Sequence, residues 1–438
     1  MSAAVPMAPG HYALDTLTGF ASRLLEAAGM DADKAASVAR LLVLTDAMGR
    51  RTHGLAMAPL YLADMARGGL QGRGDYAVVS DRGAAQVWDG AYLPGLWLMA
   101  QAVDSAIERA ERFGTASIAL RRSHHIGCLA ALVKQAADRG YLALLANSEP
   151  AARRVAPYGG TEALFTPNPF AFGYPGPTHP VLVDICASIT TTSMTRQKHA
   201  AGEAFEHPWL LDGHGRPTRD PAVLEHAEPR GSLQLVGGTE YGHKGFGLAL
   251  MIEALSQGLS GHGRRDAPAR WGGNVFLQVI DPAFFAGDEA FMEQTDHLSR
   301  ACRANRPVDP VRPVRLPGDA AASAQQAARA RLKFDELLVL EVGVAVRKHR
   351  LEATEEGRKL NPEGARVTVR LRDGRDFSSY NAAATGMPHK PMPDDALDQK
   401  FMRCAAVSLN AETASKLLDR LRTLERCADV SQLPDGGD

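Results

Sequence analysis

A chain of 438 residues exceeds the roughly 250–300 residues that one hydrophobic core covers, so at least two domains are expected. Its 49 basic and 50 acidic side chains balance to a net charge of −1, without the cationic excess that phosphate backbones attract, which argues against nucleic acid as a partner. The five cysteines, Cys128, Cys186, Cys302, Cys404 and Cys427, are scattered and form no CxxC pair. Neither a disulfide framework nor a zinc knuckle is indicated, and a reducing, cytoplasmic setting is expected. No run of about 18 apolar residues could span a bilayer, and the opening MSAAVPMAPGHYALD has no basic region followed by an apolar one, so neither a membrane nor a secreted protein is expected.

Apolar residues Leu14, Leu17, Phe20, Leu24 and Leu25 form a helical stripe over 14–30, and Asp31 is placed to cap a second helix reaching Met48. A third helical pattern over 95–113 leads into TASIAL (115–120), a short strand ending before Ser123-His124-His125. Those histidines therefore fall on a strand-to-helix loop. The alternation continues with a helix over 129–139, strands YLALLANS, VLVDIC and VFLQVID, and a helix from about Asp288, implying an α/β architecture with a mostly buried sheet. The polar stretch 195–229 predicts an extended surface excursion, and 320–332, rich in Ala, Gln and Arg, predicts a connecting helix. Beyond it, LLVLEVGVAVRKH, the strand RVTVRLRDG and an amphipathic helix near 411–427 predict a small α+β module.

Three histidines, His53, His124 and His125, are candidates for acid/base work, because imidazole exchanges protons near neutral pH. A capping or surface role is as compatible with any one of them. A metal site is the weaker reading of the His124-His125 pair, since adjacent side chains diverge and no carboxylate or thiolate cluster completes it. No GxGxxG follows a first strand, which disfavours a Rossmann domain. GGTEYGHKGFG sets Lys244 among glycines, where amides and an ammonium can hold a pyrophosphate; a turn before a helix over 248–259 explains the pattern equally well. Asp184, closing VLVDIC, is either a capping or a ligand-reading carboxylate.

Taken in order, THGLAMAPLY, RRSHHIG, VAPYGG, TPNP, VDICAS, PWLLDGHGRPTRDP, GHKGFGLAL and RLPGD resemble the malate/L-lactate dehydrogenase family that lacks a Rossmann fold. The resemblance implies a mixed-sheet NAD(P)-binding fold with N-terminal helices over 1–331, a homodimer, and hydride transfer between NAD or NADP and a small 2-hydroxy or 2-keto acid. Reduction of a cyclic imine carboxylate is the enzymatic alternative, and a non-catalytic fusion remnant the alternative of another class. By the same resemblance His125 is the catalytic acid/base and His53 the second active-site histidine, with Thr52 beside it toward substrate. Ser148, Asp184, Ile185, Cys186, Lys244, Pro317, Gly318 and Asp319 are implied to contact the cofactor. Met57 stands where the family commonly has a carboxylate-binding arginine, so Arg153 or Arg154, or else Arg50 or Arg51, is expected to supply that charge. Finally, residues 332–438 resemble the C-terminal part of the MmgE/PrpD family through VTVRLRDGRDF, NAAATGMPHKPMPDDALDQKF and LERCADVSQL, and a second catalytic activity is not expected of that fragment.

Overall fold

The opening helical hairpin forms as predicted, as α1 (Leu14–Ala27) and α2 (Ala32–Ala47), its apolar stripe burying Leu17, Ala21 and Leu25 on the first helix and Val38, Leu41 and Leu42 on the second. This computed structural model describes residues 11–328 and, beyond them, short strands at 332–333, 365–370 and 376–381. The chain separates into two compact units, 13–332 and 1–12 with 333–438. In the second unit β13 (Ala365–Arg370) pairs antiparallel with β14 (Asp376–Asn381); the run LLVLEVGVAVRKH and the helix expected near 411–427 lie outside the described residues. Asp31 occupies the position before α2 without capping it: its carboxylate pairs with Lys34 at 3.2 Å and accepts the Gly74 amide at 3.3 Å.

After the two-residue strand β1 (His11–Tyr12), the larger unit runs α1, α2, α3 (Ala58–Ala66), β2 (Ala77–Asp81), β3 (Ala85–Asp89), α4 (Gly95–Phe113), β4 (Thr115–Ser123), α5 (Leu129–Ala137), β5 (Leu142–Ser148), β6 (Pro169–Tyr174) and β7 (Val181–Cys186). Then come α6 (Thr192–Ala200), β8 (Leu210–Leu211), β9 (Pro217–Thr218), β10 (Ser232–Leu233), α7 (Gly238–Glu253), β11 (Gly273–Ile280), α8 (Asp288–Arg303) and α9 (Asp319–Ala328), before β12 (Leu332–Lys333). Seven strands form one mixed sheet in the order β2-β3-β4-β11-β5-β6-β7, with β3 and β4 parallel and the other neighbours antiparallel. The buried α4 closes on Gly114 at φ +76°, whose amide bonds to the Ala110 carbonyl, a left-handed cap that glycine adopts without steric cost.

Two expectations are corrected. The stretch 195–229 is no loose excursion: α6, a 3-10 turn at Pro221–Leu224 and the three-stranded sheet β10-β8-β9 enclose a small core of Phe205, Leu210, Val223, Leu224, Leu233 and Leu235. Four apolar residues spread through the polar segment, with Leu233 and Leu235 just past it, carry no regular period, which hid that core. The glycine-rich stretch is not a turn ahead of a helix either. It is the first half of α7, entered through Gly237 and Gly238 at positive φ, irregular at Tyr241, and extended by a π turn at Ala254–Gly258.

Register positions the chemistry. Central β11 pairs on one side with β4, Gly273 opposite Ser123, and on the other with β5, Asn274 opposite Ser148. The residues just past Ser123 and Ser148 and just before Gly273 therefore emerge along one edge of the sheet.

Candidate active site

Three loops meet at that edge, and Trp271 from one of them, with His53 from the 3-10 turn Arg51–His53 and Tyr61 from α3, encloses His125. Its ring stacks on Trp271 at a centroid distance of 5.2 Å and an interplanar angle of 23°, and on His53 at 5.7 Å and 22°. The Tyr61 hydroxyl, from α3, lies 2.8 Å from His125 Nδ1, and the Gly127 amide points at the same nitrogen from 3.4 Å. Because an amide can only donate, that contact favours the resting ring with its proton on Nε2. The tyrosine hydroxyl can donate or accept, so its bond to Nδ1 persists whether or not Nε2 is protonated. Nε2 is thereby the nitrogen left for a reacting oxygen.

His124 points elsewhere. It is 1% exposed, its Nε2 lies 3.0 Å from Asp64 Oδ2, and Asp64 also pairs with Arg67 at 3.0 Å. The hydrogen bond from His124 holds the Asp64 carboxyl below its ordinary range. Burial outweighs that carboxylate's pull on His124, whose pKa is lowered, so a neutral imidazole donating to a carboxylate describes the pair. At His125 burial acts without a carboxylate partner, reinforced by His53 and His124, and its pKa falls well below the usual imidazole value. His53 is also lowered, chiefly by burial, with Asp184 opposing and Arg50 adding to the effect; its Nδ1 is 2.9 Å from Thr52 Oγ1. The loop carrying Thr52 and His53 is seated by Asp46, which accepts the Leu55 amide at 2.8 Å and packs so closely on Gly54 that a Cβ there would collide with its carboxylate.

Past β5, Arg153 is exposed and Arg154 half-buried. The Arg154 pKa is lowered by burial and by Arg196 and Arg230, against the pull of Glu225 and Glu149. Met57 lies in the short helix Leu55–Met57 next to the histidine loop, while Arg50 and Arg51 are exposed. Ser148 is fully buried. Its hydroxyl donates to Glu253 at 2.6 Å and accepts from Gln257 at 2.7 Å, within a polar cluster that Arg264 closes by bonding Glu253 through Nε at 3.2 Å and Nη2 at 2.8 Å.

Asp184, two residues before the end of β7, reaches the start of α5, where it accepts the Ala130 amide at 3.1 Å and lies 3.6 Å from Cys128 Sγ. These are the contacts of a cap on α5, one of the two roles open to this carboxylate. Ile185 beside it is 47% exposed, and the Cys186 thiol is pushed up to about 12 by burial and by Asp184. Lys244 is exposed on α7 with its ammonium 5.2 Å from the Tyr241 ring centre. The turn at Pro317-Gly318-Asp319 bonds to β7 through Leu182 N to Pro317 O at 3.0 Å, and Asp319 pairs with Arg303 at 2.7 Å and His179 at 3.2 Å. Among the described residues no group of three or more His, Cys, Asp or Glu could hold a metal ion. A separate hollow of about 830 Å³ between His199 and Pro221 shares no residue with the histidine cluster.

Tyr61, Asp64, Glu149 and Trp271 are site residues that sequence reasoning did not single out. Tyr61 closes the block THGLAMAPLY and had a signal there; Trp271 and Glu149 have none, since only the strand register brings them to His125.

Residues 12–338 match the model of the malate/L-lactate dehydrogenase family. The chain is 30% identical over 321 residues to hydroxycarboxylate dehydrogenase B of Escherichia coli O157:H7, spanning 72% of this chain and 87% of that protein. It is 32% identical over 306 residues to (2R)-3-sulfolactate dehydrogenase (NADP(+)) of Chromohalobacter salexigens, spanning 67% and 85%. The fold aligns with delta1-piperideine-2-carboxylate reductase from Pseudomonas syringae pv. tomato at a TM-score of 0.67 and 25% identity, covering 76% of this chain and 99% of that one. With ordered motifs, a mixed sheet and a family match over most of its length, the chain belongs to the malate/L-lactate dehydrogenase family.

Proposed function

We propose that the protein is an NAD(P)-dependent oxidoreductase acting on the CH–OH group of a small 2-hydroxy acid, or on the corresponding 2-keto acid, with His125 as acid/base. The observation that carries this reading is the Tyr61 bond to Nδ1, which leaves Nε2 of a desolvated imidazole as the proton-exchanging atom. When bound, the nicotinamide supplies or accepts the hydride. In oxidation, the neutral tautomer of His125 that carries its proton on Nδ1, donated to the Tyr61 hydroxyl oxygen, takes the substrate hydroxyl proton at Nε2. In reduction, protonated His125 returns it. Trp271 and His53 exclude water on both faces of the ring.

The residues present fit the cofactor. Lys244 offers an uncommitted ammonium near the N-terminus of α7, and Ile185 an exposed apolar side chain at the sheet edge; the Pro317-Gly318-Asp319 turn adjoins the same strand. In this reading Asp184, Cys186 and Ser148 complete the cofactor side, Asp184 through the α5 N-terminus that it caps. Arg154 is the substrate's carboxylate partner in place of Met57, supported by its like-charged neighbours Arg196 and Arg230, whose repulsion an anion relieves. Thr52, bonded to His53, lines the substrate side, and Arg153 takes a peripheral part. The choice between NAD and NADP belongs to the ribose pocket. Purified protein assayed with NADH and NADPH against pyruvate, oxaloacetate and piperideine-2-carboxylate tests the reading. Turnover of a keto acid supports it, turnover of the cyclic imine alone favours the second reading that the reductase's fold suggests, and no turnover overturns both. Arg154→Ala should raise KM for the carboxylate substrate about ten- to hundred-fold and Arg153→Ala much less.

Three further points belong to this reading. The chain acts as a homodimer in the cytoplasm, with the exposed Tyr241, Leu250, Met251 and Leu259 on and just beyond α7 as the apolar surface to be covered. No helix among the described residues is long and apolar enough to cross a membrane. Residues 332–438 are a fused MmgE/PrpD-like segment without a reaction of its own.

A further inference from the structure

Trp271 reaches His125 from a part of the chain 146 positions away; its indole also meets His124 edge-on at 4.6 Å and Tyr61 at 6.5 Å, and Glu149 faces it from the loop past β5. Glu149, the first residue past β5, faces the Trp271 side chain and the Gly272 amide, whose donors pull its pKa down against the larger effect of burial, so one carboxylate serves both the indole and the peptide that follows it. The loop that carries Glu149 is itself clamped. Arg264 donates from Nη1 to the carbonyls of Ala152 at 2.8 Å and Pro150 at 3.4 Å, while its other nitrogens engage Glu253 and Ser148. The Glu149 amide also points at Thr166 Oγ1 from 3.4 Å. An indole met at its N–H by a carboxylate is hindered from sliding across the imidazole that it covers, on which it stacks at 5.2 Å and 23°.

We propose that Glu149 is a positioning residue for catalysis: it holds the Trp271 indole flat against His125, on a loop that Arg264 keeps in place, and so sets the ring's orientation and keeps water off one of its faces. This rests on the reading of His125 as the acid/base. Burial pushes the Glu149 carboxyl up to about 7, against the opposing pull of Arg154 and Arg264, as befits a carboxylate kept for its geometry rather than for an ion pair. The groups facing His125 are His53, His124 and Tyr61. None of them is a carboxylate, so the shield bears directly on its titration.

The test uses the full-length protein with Glu149→Leu, Glu149→Gln, Trp271→Phe and the double variant Glu149→Leu/Trp271→Phe. The readouts are kcat, KM and the His125 titration followed by NMR of histidine-labelled protein. Glu149→Leu and Trp271→Phe should each lower kcat about ten-fold with KM within about two-fold, and each should move the His125 titration up toward that of a hydrated imidazole. Glu149→Gln, which keeps an acceptor oxygen, should stay within about two- to three-fold of wild type, and the double variant should be no worse than the poorer single one. Additive losses, or a Glu149→Leu protein with unchanged kcat and unchanged His125 titration, would overturn the proposal. If wild type turns over no hydroxy or keto acid, the functional reading fails, and the titration shift then decides the clamp by itself. Should Glu149→Leu not fold, Trp271→Phe against Glu149→Gln makes the same comparison.

Discussion

His124 and His125 are adjacent in the chain and differ in nearly everything that decides what an imidazole does. His124 has a carboxylate at 3.0 Å that is itself held by Arg67, and it is sealed from solvent. His125 has a phenol instead, aromatic rings on both faces and no acid in contact. A carboxylate partner gives a buried histidine a fixed tautomer and a settled charge, which suits structure. A phenol that donates or accepts keeps the ring oriented through a change of protonation, which suits proton exchange. Under the proposed function, a single peptide unit thus separates a structural histidine from the proton-exchanging one.

The comparison breaks if the two respond alike to truncation. His125→Ala should lower kcat by about 10²–10⁴-fold with little change in Tm. His124→Ala should instead cost about 2–3 kcal/mol of stability, roughly 5 °C in Tm, by leaving Asp64 short of its buried donor, with kcat reduced less than ten-fold. Thermal melts beside initial rates decide between them, and a large kcat loss at His124 would erase the distinction. Tyr61→Phe removes the bond to Nδ1 and should lower kcat about ten-fold while substrate KM stays nearly constant. The pH dependence sharpens the contrast with the smallest effect. Oxidation needs neutral His125, and a lowered pKa keeps it neutral to a lower pH. Oxidative kcat/KM should therefore hold level down through pH 6.5 and fall only below it. An acid limb at or above 6.5 would mean that the ring is hydrated.

Much of this was legible before any coordinates. The β-rich TASIAL predicted the strand that runs to Ser123, and the helical pattern starting at Leu129 left a loop of the right length for two histidines. The fold's mixed sheet followed from the family resemblance. What stayed hidden is instructive in its causes. The hairpin of β2 and β3 escaped because β2 is mostly exposed along its length and shows no alternation. Trp271 and Glu149 gave no sign because their roles depend on the pairing of β11 with β4 and β5, and Asp64 gave none because its contact with His124 joins α3 to the end of β4; no local period encodes such long-range contacts. Ser148 does end its strand while Asp184 lies two residues inside its own, and composition could not reveal how fully their polar atoms are engaged by Glu253, Gln257 and the α5 amide.

Gly95 carries a practical lesson for anyone reshaping the substrate range. It opens α4, and a Cβ there would collide with the carbonyl oxygens of His124 and His125. The first turn of a 19-residue buried helix thus acts as a backstop for the histidine loop, and the depth of the site is set by backbone against backbone. Under the proposed function, libraries that vary Met57, Arg153 and Arg154 probe the substrate side. Any library that includes Gly95 will move the histidines themselves, and its members will report on a displaced loop rather than on substrate recognition.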